Sequence, residues 1–212
     1  MPDKTQTQAI RRILRIDSSA RQDDSVSREI GDEVVRRLSA RHPGAEVFHR
    51  DLAGGVPHID GDWVAANFTP VEARTPAQRA RLAASDEAVA TLRDADAVVL
   101  TAPIYNFSVP SVLKAWIDHV CRAGLTFRYT AEGPQGLLAD RPVYLVMASG
   151  GVPLGSAVDY ASSYLRQVFR FIGIEDVRLV GAERVAADAV AARDAAFATL
   201  QQWLPAPAGQ AA

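Results

Sequence analysis

A single cysteine, Cys121, stands in the 212 residues. An intrachain disulfide needs two thiols and a zinc or iron–sulfur centre needs more thiolates than one, so both are excluded and a reducing, cytoplasmic setting is expected. The four histidines, His42, His49, His58 and His119, show neither an HExxH motif nor an i, i+4 pair, and no metal site is assigned. Long apolar runs are missing too. The longest, 97–104 and 143–148, are strand-sized and far short of the ~20 residues that span a bilayer, so no membrane partner is expected. The opening residues, MPDKTQTQAIRR, hold no apolar stretch of the kind a secretory signal needs. Nor is there a basic surplus: 23 Lys and Arg stand against 25 Asp and Glu, scattered along the chain, for a net charge of −2. Nucleic acid, which demands a concentrated basic surface, is not an expected partner.

What is present is the composition of a globular chain. Hydrophobic residues make up 48% and charged residues 23%, and the length favours one large domain over two small ones. Short continuous apolar runs alternate with longer helical periods, the pattern of βαβ units around a parallel sheet covered on both faces. Five strands are predicted, at 13–16, 46–51, 97–102, 143–148 and 177–180. Five helices lie between and after them, at 27–38, 75–92, 111–121, 157–171 and 187–204. Thr75 before Pro76 is a cap followed by a first-turn proline, and Gly173 is a helix stop. The expected domain is 11–204, with residues 1–10 as a disordered leader and 205–212, beginning at Pro205, as a flexible tail.

A doubly wound α/β sheet binds its ligands beyond the carboxyl ends of its strands, which directs attention to three segments. After the first strand, DSSARQDDSVSREI sets Ser18, Ser19, Ser25 and Ser27 at the start of a helix. Free amides and a partial positive charge at a helix start suit a phosphate, and serines there are equally suited to plain capping. GxGxxG and GxxxxGK[ST] are both absent, which argues against a dinucleotide Rossmann site and a P-loop. After the third strand, Tyr105-Asn106-Phe107 between Pro103 and Pro110 offers flat aromatic surface beside amides, fit for a planar ring or for plugging the top of the sheet. After the fourth strand, Ser149-Gly150-Gly151 lets the backbone come close to a ligand. Asp23 and Asp24 would repel a phosphate and are expected to point outward. Cys121 reads as a small buried hydrophobe, His119 as a solvated or interface residue, and Trp63, Trp116 and Trp203 as core or dimer contacts.

Taken together, the SS and SxS serines, the Pro103–Asp118 stretch, AGLTFRYTAEGPQGLL and the SGG turn resemble the FMN-dependent NADH:quinone reductases that also act as azoreductases. The resemblance covers most of residues 12–204. It implies a flavodoxin-like three-layer sandwich, with a five-stranded parallel sheet in the order 2-1-3-4-5 and helices on both faces. It further implies non-covalent FMN, a homodimer with the site at the subunit interface, and ping-pong hydride transfer from NADH to a quinone or an azo compound. By the same resemblance Ser19, Ser25, Val26 and Ser27 hold the flavin phosphate, while Ile104, Tyr105, Asn106 and Phe107 line the ring. Ser149, Gly150 and Gly151 meet its polar edge, and Asn106, Tyr129 and Phe171 act in positioning. Two positions depart from the family's habit: Ile104 stands where Met is frequent, and Ala148-Ser149-Gly150-Gly151 replaces Ser-Arg-Gly-Gly. The alternatives are an NAD(P)H-dependent FMN reductase with another acceptor and a one-electron carrier. A net charge of −2 gives the carrier little with which to dock. A phospho-accepting signalling domain fails because the third strand ends Thr101-Ala102-Pro103 without an aspartate.

Overall fold

The computed structural model describes residues 9–206. In chain order the elements are β1 (Arg12–Asp17), α1 (Val26–Arg41), β2 (Glu46–Asp51), α2 (Gly61–Phe68), a 3₁₀ turn (Val71–Ala73) and α3 (Pro76–Asp94). There follow β3 (Ala97–Pro103), α4 (Ser111–Val120), β4 (Phe127–Thr130), β5 (Gly133–Gly136), β6 (Val143–Ala148), α5 (Ser162–Ile172), β7 (Val177–Ala182) and α6 (Ala189–Trp203). The five long strands form one parallel sheet in the order β2-β1-β3-β6-β7, which is the expected 2-1-3-4-5 once the β4–β5 hairpin is set aside.

The period of two along each strand explains the layers. Leu14, Ile16, Val98, Leu100, Leu145 and Met147 face α3, α4 and α5. Ile13, Val99, Tyr144, Val146 and Val180 face α1 and α6. Because both faces are covered, β3 and β6 read as unbroken apolar runs. Each fully buried Leu, Ile or Val contributes roughly 1.5–3 kcal/mol through lost contact with water. β2 lies at the sheet edge and is largely exposed.

Several details differ from the sequence reading, each for a local reason. Helix α2 and the β4–β5 hairpin are additions to the strict alternation. Trp63 and Ala66 of α2 pack with Leu82 in a small cluster of their own, apart from the main core. Helix α5 begins at Ser162 rather than 157, because the buried Asp159 carboxylate captures the amides of Gly155, Ala161 and Ser162 and the Ser162 hydroxyl. His119 is buried instead of solvated: its ring meets Trp63 edge-on at 5.7 Å and its Nε2 donates to the Pro57 carbonyl at 2.8 Å. Trp63 and Trp116 are core residues as expected, whereas Trp203 is half exposed beside Arg178. Ile10, placed with the leader by sequence, packs against the α1–α6 side of the core. Residues 1–8 of that leader and 207–212 of the tail lie outside the described residues.

Candidate functional site

At the carboxyl edge of the sheet, the segments after β1, β3 and β6 converge on a solvent-open cleft of about 260 Å³. Ser19, Ser25, Val26 and Ser27 line one end, Ile104 and Tyr105 a second wall, and Ser149 and Gly150 a third. Sequence reasoning missed Arg21, Asp24, Pro103, Ala148, Val185 and Ala186, which complete the lining. Val185 and Ala186 arrive because β7 continues past its last strand residue, their amides donating to the Ser149 and Gly150 carbonyls at 2.9 and 3.3 Å. Asp23 and Asp24 are exposed, as their charge predicts, although Asp24 keeps its place on the rim at a positive φ of 53°.

The serines separate by role. Ser18 is structural, since its amide and hydroxyl both donate to the Thr101 carbonyl, at 3.1 and 2.8 Å. Ser25 occupies the cap position of α1, yet its side chain makes no capping bond, which sets aside the plain capping role. Its Oγ instead lies 3.3 Å from Ser27 Oγ. The first-turn amides of α1 have no intrahelical acceptor, so they and two hydroxyls stand together at the positive end of a 16-residue helix. Ser19 accepts the Arg21 amide at 3.2 Å, which fixes the loop around the cleft. This end of the cleft can hold a phosphate-sized anion.

Beneath it lies a charge network that no motif announced. Asp17 ends β1 and is fully buried. It accepts from Thr101 Oγ1 at 2.7 Å, Arg15 Nε at 2.9 Å and His49 Nε2 at 2.7 Å. Arg28, in the first turn of α1, grips Asp51 with two bonds of 2.9 and 2.7 Å and reaches the Ser19 carbonyl at 2.8 Å. That bond to Arg28 holds the Asp51 carboxyl down at about 2, and the same pairing raises the guanidinium of Arg28. Asp17 and Asp51 are register partners on adjacent strands. Two aspartates ending neighbouring strands with an arginine opening the intervening helix was the signal available in the sequence.

The wall after β3 is a tight turn. Tyr105 and Ser108 exchange two backbone bonds of 3.0 Å, and the residues between them, Asn106 and Phe107, have φ of 47° and 70°. Asn tolerates this region; Phe does not, at a cost of order 1–3 kcal/mol. The Tyr160 amide donates to the Phe107 carbonyl at 3.1 Å and holds the turn in place. Phe107 is thereby 55% exposed, and Tyr105 37%, so neither plugs the sheet. Among the described residues, the amides of Asn106, Phe107, Gly150 and Gly151 have no acceptor. Asn106, Phe107 and Gly151 extend from the cleft wall without forming it. Ser149 Oγ accepts the Val152 amide at 2.7 Å and closes its turn without the family's arginine.

Tyr129 and Phe171 do not line the cleft. They meet each other through Phe127, whose ring lies 5.5 Å from Tyr129 and 4.3 Å from Phe171. The hairpin that carries Tyr129 sits directly on the end of α5: the missing side chain of Gly136 leaves room for the backbone of Ile172 and Gly173. Tyr129 is 75% exposed at its tip. Cys121 is partly buried, and desolvation pushes its thiol up to about 11. Among the described residues, no helix is long and apolar enough to cross a membrane.

Comparison with known proteins places the chain in a family. A family described as having a flavodoxin-like fold matches residues 11–204. The chain is 48% identical over 182 residues to FMN-dependent NADH:quinone oxidoreductase 1 of Hahella chejuensis, covering 86% of this chain and 89% of that protein. It is 47% identical over 194 residues to the protein of the same name in a Jannaschia species, covering 92% and 97%. Among solved structures, an FMN-dependent NADH-azoreductase from Bacillus anthracis in complex with FMN superposes with a TM-score of 0.80 at 27% identity, covering 92% of this chain and 98% of that one.

Proposed function

Since the chain belongs to the flavodoxin-like fold family, in company with the FMN-dependent NADH:quinone oxidoreductases, we propose that it reduces quinones to hydroquinones, and cleaves azo compounds, with electrons from NADH and FMN as its cofactor. The observation that carries this reading is the cleft itself, with the amide-rich, serine-lined start of α1 at one end and Ile104, Tyr105, Ser149 and Gly150 along its walls. FMN fits that donor set. Its phosphate belongs with the Ser19, Ser25 and Ser27 hydroxyls and the amides of Val26 and Ser27. Its ring belongs between Ile104, Tyr105, Asn106 and Phe107 on one side and Ser149, Gly150 and Gly151 on the other.

When bound, FMN would supply the redox chemistry, passing two electrons from NADH to the acceptor per turn, so that a quinone needs one turn and cleavage of an azo bond to two amines needs two. The protein's part is placement and electrostatics. The free amides of Asn106, Phe107, Gly150 and Gly151, with the Asn106 side chain, are donors for the polar edge of the ring, where negative charge gathers on reduction. Tyr105 and Phe107 would offer flat surface against which NADH and the acceptor could bind in turn, as a ping-pong order requires.

The homodimer belongs to the same proposal. Phe107, Tyr129 and Tyr160 are all more than half exposed, and a second copy closing over the cleft gives these rings a partner. Tyr129 and Phe171 then act in positioning from that interface. A single, unpaired cysteine supports a cytoplasmic setting. Steady-state kinetics test the reading: FMN-dependent NADH oxidation with a benzoquinone, giving parallel double-reciprocal lines. Absence of turnover with every quinone and azo acceptor contradicts the function; intersecting lines contradict the ping-pong order alone.

A further inference from the structure

We propose that Arg28 is a positioning residue that ties the phosphate end of the cleft to the buried Asp17–Asp51 pair and thereby sets a preference for FMN over unphosphorylated riboflavin. This inference rests on the reading that the cleft binds FMN.

Helix stability does not account for Arg28. It is the third residue of α1, in the first turn, where the helix dipole favours acids and opposes cations. It is nonetheless buried and held from three sides. Two bonds go to Asp51, Nη1 lies 3.4 Å from Asp17 Oδ2, and Nη2 donates to the Ser19 carbonyl at 2.8 Å. The anchors are rigid, because Asp17 and Asp51 end adjacent strands of the central sheet and Asp17 is locked by Thr101, Arg15 and His49. The residue that Arg28 fixes through its carbonyl, Ser19, lines the anion end of the cleft. Arg28 Nε is buried and has no hydrogen-bond partner.

The consequence is specific to charge. With Arg28 in place, Asp51 is paired, Asp17 gains a second cation beside Arg15, and the Ser19 loop is held to the sheet. Without it, Asp51 and Asp17 face a phosphate dianion with less compensation, and the loop loses its tether. Riboflavin carries no phosphate and is largely indifferent to the first effect. The ratio of the two affinities therefore reports the role of Arg28, whereas a general loss of structure lowers both affinities together.

The test is a titration of the apoprotein with FMN and with riboflavin, followed by flavin fluorescence, for wild type, Arg28→Lys and Arg28→Met. Arg28→Met is expected to lower the FMN-to-riboflavin affinity ratio at least tenfold. Arg28→Lys keeps the charge but loses the planar fork, and falls between. If both flavins weaken by one factor, or neither changes, the inference is overturned. Should Arg28→Met fail to fold, as judged by circular dichroism, Arg28→Lys decides alone: a lowered ratio supports the inference and an unchanged one overturns it. A wild-type protein that binds no FMN refutes the reading of the cleft instead.

Discussion

Gly31 in α1 makes the tightest prediction. A Cβ built on Gly31 lies 2.5 Å from Thr101 Cγ2 on β3, so α1 packs on the sheet through the absence of that atom. Comfortable carbon contacts lie near ~3.5–4 Å, so about 1 Å must be found. The Thr101 methyl cannot simply turn away, because Thr101 Oγ1 is bonded to the buried Asp17 carboxylate at 2.7 Å. Gly31→Ala must therefore break that bond, worth about 1.5–3 kcal/mol to a charged acceptor, or push α1 off the sheet at about 1–3 kcal/mol. Against this, Ala in place of a helical Gly contributes about 1 kcal/mol. The net is a loss of ~1–2 kcal/mol, or roughly 2–8 °C in Tm for a chain of this size. Thr101→Ser keeps the hydroxyl and deletes the methyl, costing ~0.5–1.5 kcal/mol alone. In the double variant the clash is gone, so it should be more stable than the sum of the two singles by about 2 kcal/mol. Urea unfolding of the four proteins measures this. A Gly31→Ala protein more stable than wild type, or additivity within ~0.5 kcal/mol, refutes the reasoning.

Three further outcomes follow from the same coordinates. Ser25→Ala should leave Tm nearly unchanged, since Ser25 makes no capping bond, while FMN affinity falls ~10-fold or more through loss of a hydrogen bond to a charged group; thermal unfolding and a flavin titration check both halves. The Asp51 carboxyl, held by Arg28 at about 2 and so below its unfolded value, contributes stability that is complete above pH ~4 and disappears as pH falls through ~2. With solvent screening this is ~1–2 kcal/mol, so the stability gap between wild type and Asp51→Asn should narrow over that window in a pH series of urea unfolding curves. The Cys121 thiol, pushed to about 11 by burial, should resist a disulfide reagent at pH 8 in the folded protein and react at once in denaturant.

The parts of this protein legible in its sequence are those governed by burial on two faces and by local turn chemistry. β3 and β6 announce themselves as runs such as AVVLTA and VYLVMA because both faces of the sheet are covered. Thr75 and Pro76 make the predicted cap and first-turn proline, to which the structure adds a capping box through Gln78, and Gly173 is the left-handed stop. The missed elements are those whose cause lies elsewhere in the chain. Helix α2 has only Trp63 and Ala66 buried, too few for a period to show. The β4–β5 strands are four residues each and depend on Gly136 seating against Gly173. Asp159, which delays α5, acts through a single carboxylate that looks unexceptional in sequence. In the site, Ser19, Ser25, Val26, Ser27, Ile104, Tyr105, Ser149 and Gly150 meet around one cleft. Arg28 escaped notice because its meaning depends on Asp17 and Asp51, which the sheet brings together from 34 positions apart.

The most direct test of the central claim is the visible absorption spectrum of the purified protein after incubation with FMN and desalting, read again after anaerobic NADH and then a benzoquinone. Flavin bands that survive desalting, bleach with NADH and return with the quinone are the predicted result. A protein that keeps no flavin, or whose flavin NADH leaves unbleached, contradicts the assignment of the cleft.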